Sequence, residues 1–317
     1  MRTYKDEPTQ LRYAFVNILL DYAAKDSRII ALDADLAGSS GFNAFQKKFP
    51  DRFFNCGIAE ANMIGIAAGL SAAGKIPFAH SFGTFASRRT CDQICISGAH
   101  TNAHMIIVGT DPGVTAAING GTHMPLEDMS VLRGIPKIKL IEPTDSAMLT
   151  GIFDELIKNP AVYYLRLKRK ITPAIFEDGD TFNIGKANVI RKGKDASIIC
   201  SGIMVAESLI AANMLESEGI NVTVVNMHTW KPVDEDVIAW CARETGAIVT
   251  AENHNLFGGL GGAVCEAVCR LEPCRVEQIG VKDELGEVGT EEYLKVRFGL
   301  TADNIVNAVK RAINHKK

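Results

Sequence analysis

A single carboxylate, Glu60, stands near the start of the segment GIAEANMIGIAAGL, whose other residues are small, apolar or amide. Residues 53–55 before it fit a short strand, and residues 61–73 after it fit a buried helix. Glu60 could simply cap this helix, because the helix dipole favours an acid in the first turn. It could also be functional, since a poorly solvated carboxylate tends towards a raised pKa and a specific partner such as a protonated ring nitrogen.

Aromatic and basic residues follow the next predicted strand. Phe82 and Phe85 flank Gly83-Thr84 where the chain turns from strand to helix, and open α/β sheets place ligand sites at such turns. The two rings could stack on a flat heterocycle, or they could belong to the core. Arg88 and Arg89 could be surface charges or anion ligands.

A glycine-rich loop follows a further predicted strand. Its sequence, AINGGTHMP, contains Asn119 and His123. His123 could take part in chemistry near neutral pH, or it could be a structural histidine with satisfied ring nitrogens. The loop carries little information by itself, and its meaning depends on the two stretches before it.

The composition narrows the class of protein. The 317 residues suffice for two domains, 47% of them are hydrophobic, and the net charge is −3, so nothing favours nucleic acid or anionic membranes as partners. No apolar run approaches the length of a membrane span, and the first seven residues do not resemble a signal peptide. The eight cysteines form no CxxC pair, so we expect reduced packing residues in a cytoplasmic protein.

The elements that must position these residues alternate between strands and helices, which predicts an α/β protein of two domains, each a mostly parallel sheet flanked by helices. In the first domain, residues 1–180, we expect strands at 28–32, 76–79, 105–108, 138–141 and 162–165, and helices at 10–25, 61–73, 85–99 and 145–158. A linker spans residues 170–191. In the second domain, residues 190–317, we expect strands at 197–200, 222–225, 247–250 and 275–280, and helices at 206–218, 235–245, 262–271 and 302–313.

Taken together, the motifs resemble the transketolase family of thiamine diphosphate enzymes. Four motifs resemble its pyrimidine-binding domain in order and spacing: Asp33-Ala34-Asp35-Leu36, Gly57-Ile58-Ala59-Glu60-Ala61-Asn62-Met63, Phe82-Gly83-Thr84-Phe85 and Gly121-Thr122-His123. Three more resemble its C-terminal domain: Trp230-Lys231-Pro232-Val233-Asp234, Glu252-Asn253-His254 and the glycine-rich run 258–262. The resemblance covers nearly the whole chain.

The resemblance implies a role for the acid in the opening segment. Glu60 would hydrogen-bond the N1′ atom of the cofactor's aminopyrimidine, and the cofactor would supply a carbon nucleophile. Phe82 and Phe85 would line the pyrimidine pocket, and Asp35 would lie close to the cofactor. His123 matches a histidine near the reacting carbonyl, so it would act with Glu60 as a catalytic residue.

One part of the family's machinery is missing. The diphosphate and its divalent metal are held by a domain marked by Gly-Asp-Gly followed by Asn, and this sequence has no such motif in a fitting context. The resemblance therefore implies a split enzyme, in which an N-terminal partner subunit holds the diphosphate and Mg²⁺. We expect self-association as well, and a heterotetramer with two copies of each chain.

Several positions match residues that bind the sugar substrate in transketolases. Arg12, Ser39 and Arg166 match residues that hold a terminal phosphate, and the guanidinium fork suits such an oxyanion. Asn119 replaces an aspartate that reads donor hydroxyls. Asp111 replaces a phosphate-binding histidine, and an aspartate there would repel an anion unless it pairs with Arg12 or Arg166.

These matches favour a subunit that transfers a two-carbon ketol unit from a ketose with a terminal anion to an aldose. Three alternatives stay open: a deoxyxylulose-phosphate-synthase-like enzyme, the β subunit of a 2-oxo-acid dehydrogenase, and a non-catalytic assembly subunit. Arg88 resembles an arginine of the deoxyxylulose-phosphate synthases and is a candidate substrate ligand. Retention of Glu60, Phe82, Phe85 and His123 argues against a decayed site.

Overall fold

The computed structural model describes residues 4–316, so the first three residues of the predicted N-terminal domain and Lys317 lie outside the described residues. The chain forms one sheet of seven strands and one of five, both flanked by helices. Ten of the twelve strands pair in parallel with at least one neighbour, and β7 and β10 pair antiparallel. This confirms the predicted fold class.

The seven-stranded sheet has the order β10-β5-β6-β4-β3-β1-β2. Its strands are β1 (Ile29–Asp33), β2 (Phe53–Asn55), β3 (Ile76–Phe82), β4 (Met105–Thr110), β5 (Lys139–Ile141), β6 (Val162–Leu167) and β10 (Thr229–Lys231). Its helices are α1 (Leu11–Lys25), α2 (Ala37–Ser40), α3 (Asn43–Lys48), α4 (Glu60–Ala72), α5 (Gly83–Ser87), α6 (Cys91–Gln93), α7 (Asp128–Arg133) and α8 (Ser146–Lys158).

The five-stranded sheet has the order β12-β11-β8-β9-β7. Its strands are β7 (Asn188–Arg191), β8 (Ala196–Cys200), β9 (Val222–Asn226), β11 (Ala247–Asn255) and β12 (Arg275–Val281). Its helices are α9 (Met204–Ser217), α10 (Glu235–Thr245), α11 (Leu260–Leu271), α12 (Glu291–Arg297) and α13 (Ala302–Asn314).

Burial explains why the strand runs were readable from sequence. Every residue of β1, β3, β4 and β6 is buried, as expected for parallel strands covered by helices on both faces. The start of α8 was also readable, because the Asp145 side chain accepts a hydrogen bond from the Met148 amide at 3.0 Å, the N-cap arrangement that aspartate favours.

Several features differ from the sequence prediction. The helix expected over 85–99 is broken into α5, a 3₁₀ turn at Arg88–Thr90, α6 and a π-helical turn at Ile94–Ala99. Strands β7 and β10 and helices α2, α3, α7 and α12 were not predicted. Because β10 follows the second domain's strand β9 in sequence but pairs with β5, the second half of the chain completes the first sheet.

The described residues contain no helix that is both long and apolar enough to cross a membrane.

Candidate active site

Three buried side chains tie together the carboxyl ends of neighbouring strands β1, β3 and β4. Nδ1 of His80 lies 2.8 Å from an Asp33 carboxylate oxygen, and its Nε2 lies 3.1 Å from the Thr110 hydroxyl. All three side chains are buried, and a buried polar chain of this kind is stable only when its members satisfy one another. It fixes the edge of the sheet beyond which open α/β folds bind ligands.

Glu60 lies at this edge, where it is the first residue of α4 and 1% exposed. Its Oε1 accepts a hydrogen bond from the Ser81 hydroxyl at 3.1 Å. Its Oε2 accepts a charge-assisted bond from the Arg89 guanidinium at 2.6 Å. The buried acid is therefore stabilised by a neutral donor, by a cation and by the dipole at the start of α4.

Aromatic rings stand beside this acid. Phe82 and Phe85 lie 6.4 Å apart between ring centroids, and the His123 ring is 5.7 Å and 5.3 Å from them. The Arg89 guanidinium carbon lies 4.4 Å from the centroid of the Phe85 ring. The Arg89 guanidinium thus contacts both the carboxylate of Glu60 and the face of an aromatic ring. A cationic or electron-poor heterocycle could take the place of this guanidinium.

The structure distinguishes the two neighbouring arginines. Arg88 pairs with Glu127 at 2.8 Å and not with Glu60. Burial raises the pKa of Glu127, and the Arg88 charge partly offsets this effect. Arg89, for which the sequence left open a surface charge or an anion ligand, is the arginine that reaches the acid.

Arg12 and Ser39, two predicted substrate ligands, lie together. The Arg12 guanidinium donates to the Ser39 backbone carbonyl at 2.5 Å and also binds the Gln10 side chain at 2.9 Å. Asp35, a predicted cofactor neighbour, is exposed and accepts a bond from the Asn55 amide at 2.9 Å. Its φ of +64° is a left-handed conformation that aspartate tolerates better than most residues.

Asp111 pairs with a cation that was not considered from the sequence. Its carboxylate lies 2.9 Å from the guanidinium of Arg169, whereas Arg12 and Arg166 were named from the sequence as the residues that could neutralise it. Burial raises the pKa of Asp111, and Arg169 counteracts this effect. The Asn119 amide lies 3.5 Å from the same carboxylate. The Arg169 guanidinium carbon also lies 5.4 Å from the Phe82 ring centroid, so this ion pair borders the aromatic pocket.

The burial and the contacts of Arg166 contradict the prediction that it binds substrate. Its side chain has no exposed surface and pairs with Asp128 at 2.9 Å and with Glu142 at 2.6 Å. Its remaining terminal nitrogen donates to the backbone carbonyls of Pro125 at 3.0 Å and Asn253 at 2.9 Å. A guanidinium whose three nitrogens are all engaged inside the protein is a structural cation between the two halves of the chain.

Sequence reasoning also missed Ser81 as a ligand of Glu60 and Arg169 as the cation beside Phe82. The signal for Arg169 was its position two residues past the end of β6, at the ligand-binding edge, whereas Arg166 lies inside that strand. No comparable signal identified Ser81, because alternation along a strand buried on both faces does not separate functional from structural hydroxyls.

The residues present fit the pyrimidine half of thiamine diphosphate. A buried acid can accept a hydrogen bond from a ring nitrogen, and two aromatic rings next to it can pack on a flat heterocycle. The described part of the chain brings together no cluster of three or more His, Cys, Asp or Glu side chains suited to a metal ion.

Comparisons with known proteins agree with this geometry. Residues 7–174 match the transketolase pyrimidine-binding domain, and residues 185–305 match the transketolase C-terminal domain. The 6-deoxy-6-sulfo-D-fructose transketolase subunit SqwH of Clostridium sp. (strain MSTE9) is 48% identical over 98% of this chain and 97% of that protein. An apulose-4-phosphate transketolase subunit of Phocaeicola vulgatus is 35% identical over 93% of this chain and 94% of that protein.

A solved structure of a split-gene transketolase, an inactive tetramer of four beta chains, superposes on this chain with a TM-score of 0.90 at 38% sequence identity. The superposition covers 98% of this chain and 100% of that one. The 1-deoxy-D-xylulose-5-phosphate synthase of Syntrophotalea carbinolica is 32% identical over all of this chain but over 50% of that enzyme. The two domain matches and these nearly full-length alignments confirm the resemblance, and the chain belongs to the transketolase family, of which it contains the pyrimidine-binding and C-terminal domains.

Proposed function

We propose that this chain is the pyrimidine-binding subunit of a two-chain, thiamine-diphosphate-dependent transketolase. The enzyme moves a two-carbon ketol unit from a ketose to an aldose. The observation that carries this proposal is the buried carboxylate of Glu60 beside Phe82, Phe85 and His123 at the carboxyl edge of the sheet.

The chain's own residues prepare and orient the reaction. When bound, thiamine diphosphate would supply the carbon nucleophile that ketol transfer requires. Glu60 would hold the N1′ end of the pyrimidine, in competition with the Arg89 guanidinium at Oε2, while Ser81 would keep its bond to Oε1. His123 has its Nδ1 3.0 Å from the Thr122 hydroxyl, which leaves Nε2 to exchange protons with the substrate.

The diphosphate and Mg²⁺ are held mainly by a partner subunit, in a heterotetramer of two copies of each chain. Two relatives that match this chain over nearly their full length are named as subunits. Exposed apolar side chains near the site support a covering partner: Ile58 is 77% exposed, Ile118 73% and Leu285 91%. We expect the partner subunit to cover these side chains in the complex.

The donor carries a terminal anion, either a sulfonate or a phosphate. Arg12 is half-buried, and Arg169 borders the Phe82 ring, so two guanidinium groups are candidates to bind it. Arg88 and Asn119 remain candidate substrate contacts. We name 6-deoxy-6-sulfofructose as the first donor to test, because the relative at 48% identity is named for it.

A reconstituted complex of this chain with its diphosphate-binding partner tests the proposal. The donor panel contains 6-deoxy-6-sulfofructose, fructose 6-phosphate and xylulose 5-phosphate, with an aldose acceptor, thiamine diphosphate and Mg²⁺. We expect release of the shortened aldose only when both chains are present. Decarboxylation of pyruvate, with no ketol transfer from any sugar, would instead favour the deoxyxylulose-phosphate-synthase-like reaction.

A further inference from the structure

The loop between β4 and α7 carries Asn119 and His123, and its backbone is unusual. Asp111 and Ala117 have positive φ angles of +60° and +50°, and Ala117 combines its φ with a ψ of −117°. Non-glycine residues rarely adopt such conformations, which persist only where surrounding contacts enforce them. The loop is therefore held in place from outside.

The first end of the loop is held by one side chain of the second domain. Asn253 in β11 accepts a hydrogen bond from the Val114 amide through Oδ1 at 2.9 Å and donates to the Pro112 carbonyl through Nδ2 at 2.9 Å. Gly113 lies between them with φ +48°, and a Cβ atom there would come within 2.2 Å of the Asn253 Oδ1. Both polar functions of the buried amide are thus used on the loop.

The other end of the loop is held by the same strand. The backbone N–H of Asn255 donates a hydrogen bond to the backbone carbonyl of Leu126 at 2.8 Å. Arg166 donates to the carbonyls of both Pro125 and Asn253, which links this end to the first. The tip is also close to the second domain, since a Cβ atom on Gly121 would lie 2.0 Å from the Gly286 carbonyl oxygen.

We propose that Asn253 is a positioning residue for ketol transfer, through which the second domain fixes the loop that places His123 beside the aromatic pocket. This inference rests on the proposed function and gives the C-terminal domain a role in the reaction. Asn253 does not reach the substrate site itself, because its side-chain amide is committed to Pro112 and Val114. Its effect on the chemistry passes through the loop and through His123.

The experiment compares Asn253→Ala with Asn226→Ala in the two-chain complex. Asn226 is a matched control, because it is also a fully buried asparagine of the second domain and its amide contacts Met148 rather than the loop. Amide hydrogen exchange over residues 111–125 should become about 10-fold faster in Asn253→Ala, since a buried donor and acceptor lose their partners. Exchange in Asn226→Ala should stay unchanged over the same residues.

Kinetics then separate positioning from general loosening. Asn253→Ala should lower kcat by about 10- to 100-fold with a smaller change in KM, because misplacement of a reacting group by about 1 Å costs roughly 100-fold. In a His123→Ala background the same substitution should change kcat less than about 2-fold, since residues that act through one another are not additive.

Two results would overturn the proposal: unchanged exchange over the loop in Asn253→Ala, or an equal fold-loss of kcat with and without His123. If the complex transfers no ketol unit from any donor, the proposed function fails. The exchange measurement still decides whether Asn253 holds the loop.

Discussion

Replacing Arg166 with methionine tests the conclusion that this residue is structural. The substitution removes a fully buried cation that pairs with Asp128 and Glu142, and it leaves two buried carboxylates without a counter-charge. Breaking a buried ion pair from one side costs about 3–5 kcal/mol. Two carbonyls from different halves of the chain, those of Pro125 and Asn253, also lose a donor, so we expect the upper end of that range.

Urea-induced unfolding measures this effect. The control is Arg88→Met, which breaks an ion pair whose two side chains are 51% and 33% exposed and should cost less than about 1 kcal/mol. If Arg166→Met unfolds within about 1 kcal/mol of the unmodified chain while the affinity of the complex for an anionic donor falls, then Arg166 binds substrate and the assignment of a structural role is wrong.

Two further outcomes follow from single contacts. Arg89→Met should tighten thiamine diphosphate binding to the complex by roughly 5-fold, because the guanidinium no longer competes for its site. Calorimetry measures this, and a weaker affinity, or an equal gain in Arg88→Met, would refute the competition. Burial lowers the pKa of His228 to about 4, below the usual value of about 6.5. Between pH 7.5 and pH 5 the unfolded chain therefore binds a proton that the folded chain does not, which lowers the free energy of unfolding by about 2 kcal/mol. Urea unfolding at the two pH values measures this difference. It should disappear in His228→Leu and persist in His315→Leu, which replaces an exposed histidine.

The parallel strands could be located from sequence because burial on both faces leaves a continuous apolar run. Their ends were harder to place. Strand β3 was predicted to end at Ala79, because the next two residues, His80 and Ser81, are polar. The strand continues to Phe82, and both polar side chains are buried. Each has a partner from another strand or helix, at Asp33 and at Glu60. No local pattern reveals such partners.

The partners of the arginines were equally hard to predict from sequence. A regular helix after Phe85 would put Arg88 one turn on, but the chain changes to a 3₁₀ turn at Arg88–Thr90, and Arg89 is the residue that meets the acid. In and just after β6 the sequence shows two arginines three residues apart. Only the buried carboxylates contributed by distant segments decide that Arg166 stays inside and Arg169 borders the site.

Strand β10 was missed because three residues carry little periodicity, and because its partner β5 precedes it by nearly ninety residues. The acid and the rings of the candidate site were identified from sequence, since they lie in short motifs at strand ends. The contribution of the second domain was not, because Asn253 acts on backbone atoms of Pro112 and Val114 that no sequence pattern links to it.

The rate of ketol transfer by the reconstituted complex with Glu60→Gln tests most directly whether the reaction depends on the buried carboxylate of Glu60. The amide keeps the size of the side chain and an oxygen for the Ser81 bond, so the complex should still assemble. The matched control is Glu127→Gln, which alters the carboxylate paired with Arg88. We expect Glu60→Gln to lower kcat by about 100-fold or more and Glu127→Gln to retain most activity. Near-normal turnover in an assembled Glu60→Gln complex would contradict this expectation.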